Sequence, residues 1–115
     1  KAMAKNWDML MGEFFANIPD TVAIINIQDA RRPDQKVDQE FHQFLKDQPL
    51  RTILALNKTD KLKTQKERSV LQKQAKLLKS NYDWVEEFYL VSAETKDGVD
   101  KLENSIISHC LSCLE

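Results

Sequence analysis

At 115 residues, with 42% hydrophobic and 30% charged side chains, the sequence amounts to one domain or less, with apolar content enough for a core. At a net charge of −1 no bulk basic character advertises nucleic acid, and no apolar run approaches the roughly 18 residues a membrane span requires. The polar, amphipathic N-terminus is unlike a secretory signal, and the charged surface points to a cytoplasmic protein.

The elements follow in chain order. Trp7, Leu10, Met11, Phe14 and Phe15 fall at helical spacing and predict an amphipathic helix. Residues 17–20 (Asn-Ile-Pro-Asp) end it. Residues 21–27 (TVAIINI) are nearly all apolar, as a strand covered on both faces requires. Pro33 and Asp34 open a helix with Val37, Phe41, Phe44 and Leu45 on its apolar face, and Gln48-Pro49 stops it. On this spacing His42 faces solvent. Residues 51–56 (RTILAL) form a second strand, residues 66–79 a basic helix, and residues 87–91 a third strand. The last helix opens near Asp97-Gly98 and carries Val99, Leu102, Ile106 and Ile107. One helix followed by three strand–helix units predicts an α/β fold with a parallel sheet and right-handed crossovers.

Two loops carry the chemistry. Asn57-Lys58-Thr59-Asp60 follows the second strand, and Ser92-Ala93 follows the third. Ligands of open α/β sheets bind at these carboxyl ends. Guanine presents two adjacent donors beside an acceptor, O6. The carboxylate of Asp60 can accept both donors at once, a charge-assisted contact. Adenine offers a bare acceptor at N1 instead, so such a site would reject it strongly. Lys58 can lay its stem along the base while its ammonium stays solvated. Asn57 has a donor and an acceptor with which to tie this loop to its neighbours. The N–H of Ala93 can reach O6, because a small residue lets the backbone come close. A lone N-K-x-D is a weak signal that many exposed turns carry. Its order with the Ser-Ala segment, each after a strand, makes the pair a guanine-reading site.

The Ser-Ala segment continues through residues 92–102 (SAETKDGVDKL), which resembles the corresponding GTPase loop and its terminal helix. Asp29-Ala30-Arg31-Arg32-Pro33, followed by Asp38 and an amphipathic helix, resembles the EngB group of bacterial GTPases. The opening residues 4–10 (AKNWDML) look like the helix after that group's second switch segment. The resemblance runs along the whole chain. It is weaker for Era and the translation-type GTPases, which share the two loops but usually lack D-A-R. One departure is Asn57, where the group often has threonine. The resemblance implies a P-loop, three-layer G domain that binds GTP or GDP with Mg²⁺, acts in large ribosomal subunit assembly and is needed for normal cell division.

That resemblance also defines what the sequence lacks. A phosphate loop reads G-x-x-x-x-G-K-[ST], and neither Gly12 nor Gly98 sits in such a pattern. The switch threonine and the D-x-x-G metal segment are missing as well. Residues 1–115 are therefore expected to be the C-terminal half of one G domain, without catalytic or Mg²⁺-binding residues of their own. Phosphoryl transfer would need the other half. Whether that half was removed or lies outside the sequence in hand stays open. The strand at 21–27 would then present an uncovered edge, which invites dimerisation or aggregation.

Charge is unevenly spread. Residues 57–80 hold eight Lys/Arg against Asp60 and Glu67, a local balance of +6 that leaves −7 elsewhere. Lys73, Lys76 and Lys79 recur opposite Val70, Leu71, Leu77 and Leu78. This reads either as a solvated face or as a surface that contacts RNA phosphates. The resemblance leans towards a ribosomal precursor or rRNA. The competing function class is a non-enzymatic half-domain that binds RNA or protein through helix 66–79. Cys110 and Cys113 form C-x-x-C beside His109, without the second pair a structural zinc site needs. They read as small side chains on the last helix.

Overall fold

The computed structural model describes residues 2–17, 19, 22–47 and 50–114. The elements alternate as the pattern predicts: α1 (Ala2–Asn17), β1 (Ala23–Asp29), α2 (Lys36–Leu45), β2 (Arg51–Asn57), α3 (Gln65–Asn81), β3 (Glu87–Leu90) and α4 (Val99–Cys113). A 3₁₀ turn at Thr59–Lys61 separates β2 from α3. The strands form one parallel sheet in the order β1-β2-β3. Among the described residues, no helix is long and apolar enough to cross a membrane.

The central strand shows why the order is stable. Thr52, Ile53, Leu54, Ala55 and Leu56 are all buried, so β2 is covered on both faces. Alternation sends Leu54 and Leu56 to one face. There they join Ala30, Leu62, Leu71, Leu78 and Val85, with Tyr82, Trp84, Phe88 and Leu90 around them. Asn26 and Gln28 of β1 stand in register with Leu54 and Leu56, and both touch His42 of α2. Thus α2 and α3 share a face, as two crossovers of the same hand in one direction require. On the other face, Ser105 of α4 donates its hydroxyl to Glu87 of β3.

Several details differ from the sequence expectations. The first strand ends two residues later than 27, since Gln28 and Asp29 continue the ladder with Leu56 and Asn57. Thr21, where that strand was expected to start, and the predicted breaks at Ile18, Asp20, Gln48 and Pro49 lie outside the described residues. The strand is also not covered throughout: Ile27 is 62% exposed, and among the described residues β1 pairs with β2 alone. The next helix opens at Lys36 rather than at Pro33-Asp34. Asp34 has φ 57°, which is incompatible with a helical turn. Asp38 instead accepts the Gln35 N–H at 3.0 Å and caps the start.

His42 is fully buried, not solvent-facing. Helix α2 turns His42 and Leu45 inward and leaves Val37 68% exposed, so its buried face is rotated from the predicted one. The imidazole stacks on Tyr82 at 4.5 Å. Its Nε2 lies 2.9 Å from the Asn26 amide and 3.3 Å from that of Gln28. On α3, Leu71, Ala75 and Leu78 face the core, whereas Val70 and Leu77 are exposed. The helix is capped by Thr64, which accepts the Glu67 N–H at 3.1 Å while Glu67 accepts the Thr64 N–H at 3.2 Å.

Candidate functional site

The three strands run in the same direction, so Asp29, Asn57 and the residues after Leu90 come to one end of the sheet. All five predicted base-site residues meet there. Asn57 closes β2 and accepts the Ala93 N–H on Oδ1 at 3.0 Å. Asp60 accepts the Ser92 hydroxyl on Oδ1 at 2.8 Å. Thr59 sends both its N–H and its hydroxyl to the Val91 carbonyl, at 3.3 and 3.0 Å. Two loops more than thirty positions apart are thus laced side chain to backbone and side chain to side chain.

The Ser-Ala loop is also braced from within. Ser92 is fully buried. Its N–H donates to the Asp97 carbonyl, its carbonyl accepts from Lys96, and its hydroxyl accepts the Thr95 N–H. The turn closes on Gly98, at φ 74°, where a Cβ would collide with the Leu90 carbonyl oxygen. Only glycine fits there without strain.

The electrostatics suit a donor-rich ligand edge. The hydrogen bond from Ser92 does most to hold the Asp60 carboxyl below its ordinary range, and Lys61 adds to this at 3.8 Å. Asp60 is therefore an anionic acceptor at neutral pH, with its side chain 16% exposed. Lys58 adopts φ 70° and ψ 32°, a left-handed conformation uncommon for a long side chain. Such backbone strain persists where the surroundings hold it. Its side chain is half exposed, and its ammonium lies 3.9 Å from Asp29.

The geometry also constrains two of the expected roles. The Ala93 N–H, expected to reach guanine O6, is engaged by Asn57. The lysines on α3 are all exposed but do not form a single row: Lys79 lies over the Phe88 ring, 5.9 Å from its centroid. Lys66, at the start of the helix, lines a cavity with Ala30 and Arg31 beyond the end of β1. Two residues of the site had no role in the sequence reading. Thr59 is the unspecified position of N-K-x-D, and Asp29 is the first residue of D-A-R. The signal for Asp29 was its place at a strand end, the position shared with Asn57. Among the described residues, no group of three or more His, Cys, Asp or Glu side chains could hold a metal ion. Cys110 and Cys113 are exposed thiols, with the Cys113 sulfur 3.7 Å from His109 Nε2.

These features define a class: an α/β, P-loop GTPase-like sheet with loops built at the carboxyl ends of its strands. The apo form of translation elongation factor SelB from Methanococcus maripaludis shares the fold, with a TM-score of 0.60 at 22% identity over 79% of this chain and 20% of its own. No protein-family model matches the chain.

The particular resemblance is to the EngB group. The chain is 30% identical over 106 residues to the probable GTP-binding protein EngB of Desulfitobacterium hafniense, covering 92% of this chain and 52% of that protein. It is 28% identical over 111 residues to the protein of the same name from Streptococcus sanguinis, covering 94% and 54%. It is 32% identical over 102 residues to that of Mycoplasmopsis synoviae, covering 87% and 52%. The chain spans about half the length of these curated relatives.

Proposed function

We propose that this chain is the guanine-reading portion of a GTP-binding protein. The observation that carries the reading is the ionised Asp60, fixed by Ser92 in a loop that is in turn tied to Ala93 by Asn57. A carboxylate held in place before the ligand arrives can accept guanine N1–H and the exocyclic amine together. The Ala93 N–H then serves O6 by a three-centre bond shared with Asn57. The likeness to proteins named EngB supports the same ligand.

On this reading residues 1–115 are the C-terminal half of one G domain. The phosphate loop, the switch segments and the Mg²⁺ ligands belong to the other half. The whole protein binds GTP with Mg²⁺, hydrolyses it in the cytoplasm, and uses the two states to gate assembly of the large ribosomal subunit, on which normal cell division depends. The exposed edge of β1 is the seam against the rest of that domain, and it would pair two copies if left open. Lys73, Lys76 and Lys79 are the candidate rRNA contacts, with Lys73 and Lys76 free of the ring contact that Lys79 makes.

The test is competition in the full-length protein. GDP and GTP displace a fluorescent guanine nucleotide, while ADP and ATP do not. Asp60→Asn shifts preference towards xanthine nucleotides, because the new amide donor suits a base with oxygen at C2. If Asp60→Asn leaves the guanine preference in place, the assignment is wrong.

A further inference from the structure

Three strand ends meet at the candidate site, and the function proposed above uses only two of them. The third is the end of β1. Asp29 is the register partner of Asn57, and the Ala30 N–H donates to the Asn57 carbonyl at 2.7 Å. The Asp29 carboxylate is gripped by Arg31. The Arg31 backbone N–H donates to Oδ1 at 2.9 Å. Its Nε donates to Oδ1 and Oδ2 at 3.0 and 3.2 Å, and its Nη2 to Oδ2 at 2.7 Å. A carboxylate bound by a planar fork and a backbone N–H is held in one orientation. The Lys58 ammonium lies 3.9 Å from its Oδ2.

We propose that Asp29 is a positioning residue of the base site: locked by Arg31, it is the fixed counter-charge that holds the Lys58 ammonium at the end of β1, and so sets where the Lys58 stem lies when a guanine base enters. This rests on the guanine reading. A lysine that is 52% exposed loses rotamer freedom when a ligand orders it. A counter-charge already in place reduces that loss. The pairing is selective. Asp60 and Glu94, the neighbouring carboxylates, are matched by Lys61, at 3.8 and 3.7 Å. The strained backbone of Lys58 fits the same account, since the left-handed turn is kept while its side chain is held beside β1. D-A-R thereby acquires a purpose at each charged position: Asp29 is the anchor, and Arg31 stops the anchor from rotating.

The experiment measures fluorescent GDP affinity in the full-length protein, at low and high salt. Asp29→Asn is expected to weaken GDP binding roughly threefold at low salt. The difference shrinks as ionic strength rises, because the pair is exposed. The preference for guanine over xanthine is unchanged. Lys58→Met keeps the stem and removes the ammonium, so it shows the same salt-dependent loss. The double variant is no weaker than Lys58→Met alone. A purely structural role for Asp29 would give losses that multiply and ignore salt. That result overturns the inference, as does an unchanged GDP affinity in Asp29→Asn. Should Asp29→Asn fail to fold, Lys58→Met with wild-type, salt-insensitive affinity overturns it equally well, since Lys58 is an exposed residue. These outcomes leave the guanine reading intact if Asp60→Asn still moves preference to xanthine. If it does not, the guanine reading falls and this inference with it.

Discussion

Ser92 donates its hydroxyl to Asp60 Oδ1 over 2.8 Å while accepting the Thr95 N–H at 3.1 Å. One buried side chain therefore orders its own loop and fixes the acceptor of the other. Ser92→Ala removes both functions at once. It leaves the Thr95 N–H without this acceptor and lets the Asp60 carboxyl rise towards its ordinary range. GDP affinity is expected to fall roughly tenfold, as for a lost charge-assisted bond. On the proposed reading the preference for guanine over xanthine survives, because the Asp60 carboxylate that discriminates at C2 is still present. Equilibrium titration with GDP and XDP separates the two effects.

His42 predicts a pH dependence in a defined window. Burial among Asn26, Gln28, Tyr82 and Trp84 pushes its imidazole below the ordinary value of 6.5, and Asp34 and Asp38 only partly oppose this. The folded state therefore binds a proton less readily than the unfolded chain. Stability is complete above about pH 6.5 and declines as pH falls below it towards the lower, folded value. Asp29, Asp60 and Glu87 are also held below their ordinary range, but their contributions are lost only at more acid pH, as the carboxylates protonate. Urea midpoints between pH 7.5 and 5.5 should fall for the wild type and stay nearly flat for His42→Gln. An equal slope in the variant would place the dependence elsewhere.

His42 also shows where sequence reasoning stops. Helical spacing located α2, yet two rotations of the same helix both offered an apolar face. The choice was made by polar partners on β1, which no periodicity reveals. The apolar run that marks the first strand stops at Ile27, one residue short of Gln28. Gln28 is buried inside the strand because its amide has both His42 and the Asp34 N–H, at 3.3 and 2.8 Å, as partners. That residues 57–60 and 92–93 would lie together was legible because each follows a strand of one parallel sheet, and their contacts through Asn57 and Asp60 bear out that placement. The grip of Arg31 on Asp29 is local, but its meaning depends on Lys58, which parallel pairing brings alongside from 29 positions away.

Gly98 supplies a prediction about the scaffold of the site. It precedes α4 at φ 74°, and a Cβ there meets the Leu90 carbonyl oxygen and presses on Val91. Gly98→Ala must both adopt an unfavourable backbone conformation and displace the end of β3. A destabilisation of about 2 kcal/mol or more is expected. Because Leu90 and Val91 lead directly into Ser92, GDP binding should weaken along with stability. Denaturant titration and GDP titration of the same sample test whether the losses travel together.

The cap of α3 makes the contrasting case, a change in stability without a change in the site. Thr64 accepts the Glu67 N–H at 3.1 Å and Glu67 returns the contact to the Thr64 N–H at 3.2 Å, so two helix-start donors are satisfied reciprocally. Thr64→Ala should cost about 1 kcal/mol. The loss acts on the start of a helix whose Leu71 and Leu78 pack under β2, and it touches neither Asp60 nor Ser92. The urea midpoint should drop while GDP affinity at saturating folded fraction stays at the wild-type value. If affinity falls as well, the 3₁₀ turn at Thr59–Lys61 is coupled to the helix start more tightly than its own hydrogen bonds to Val91 imply.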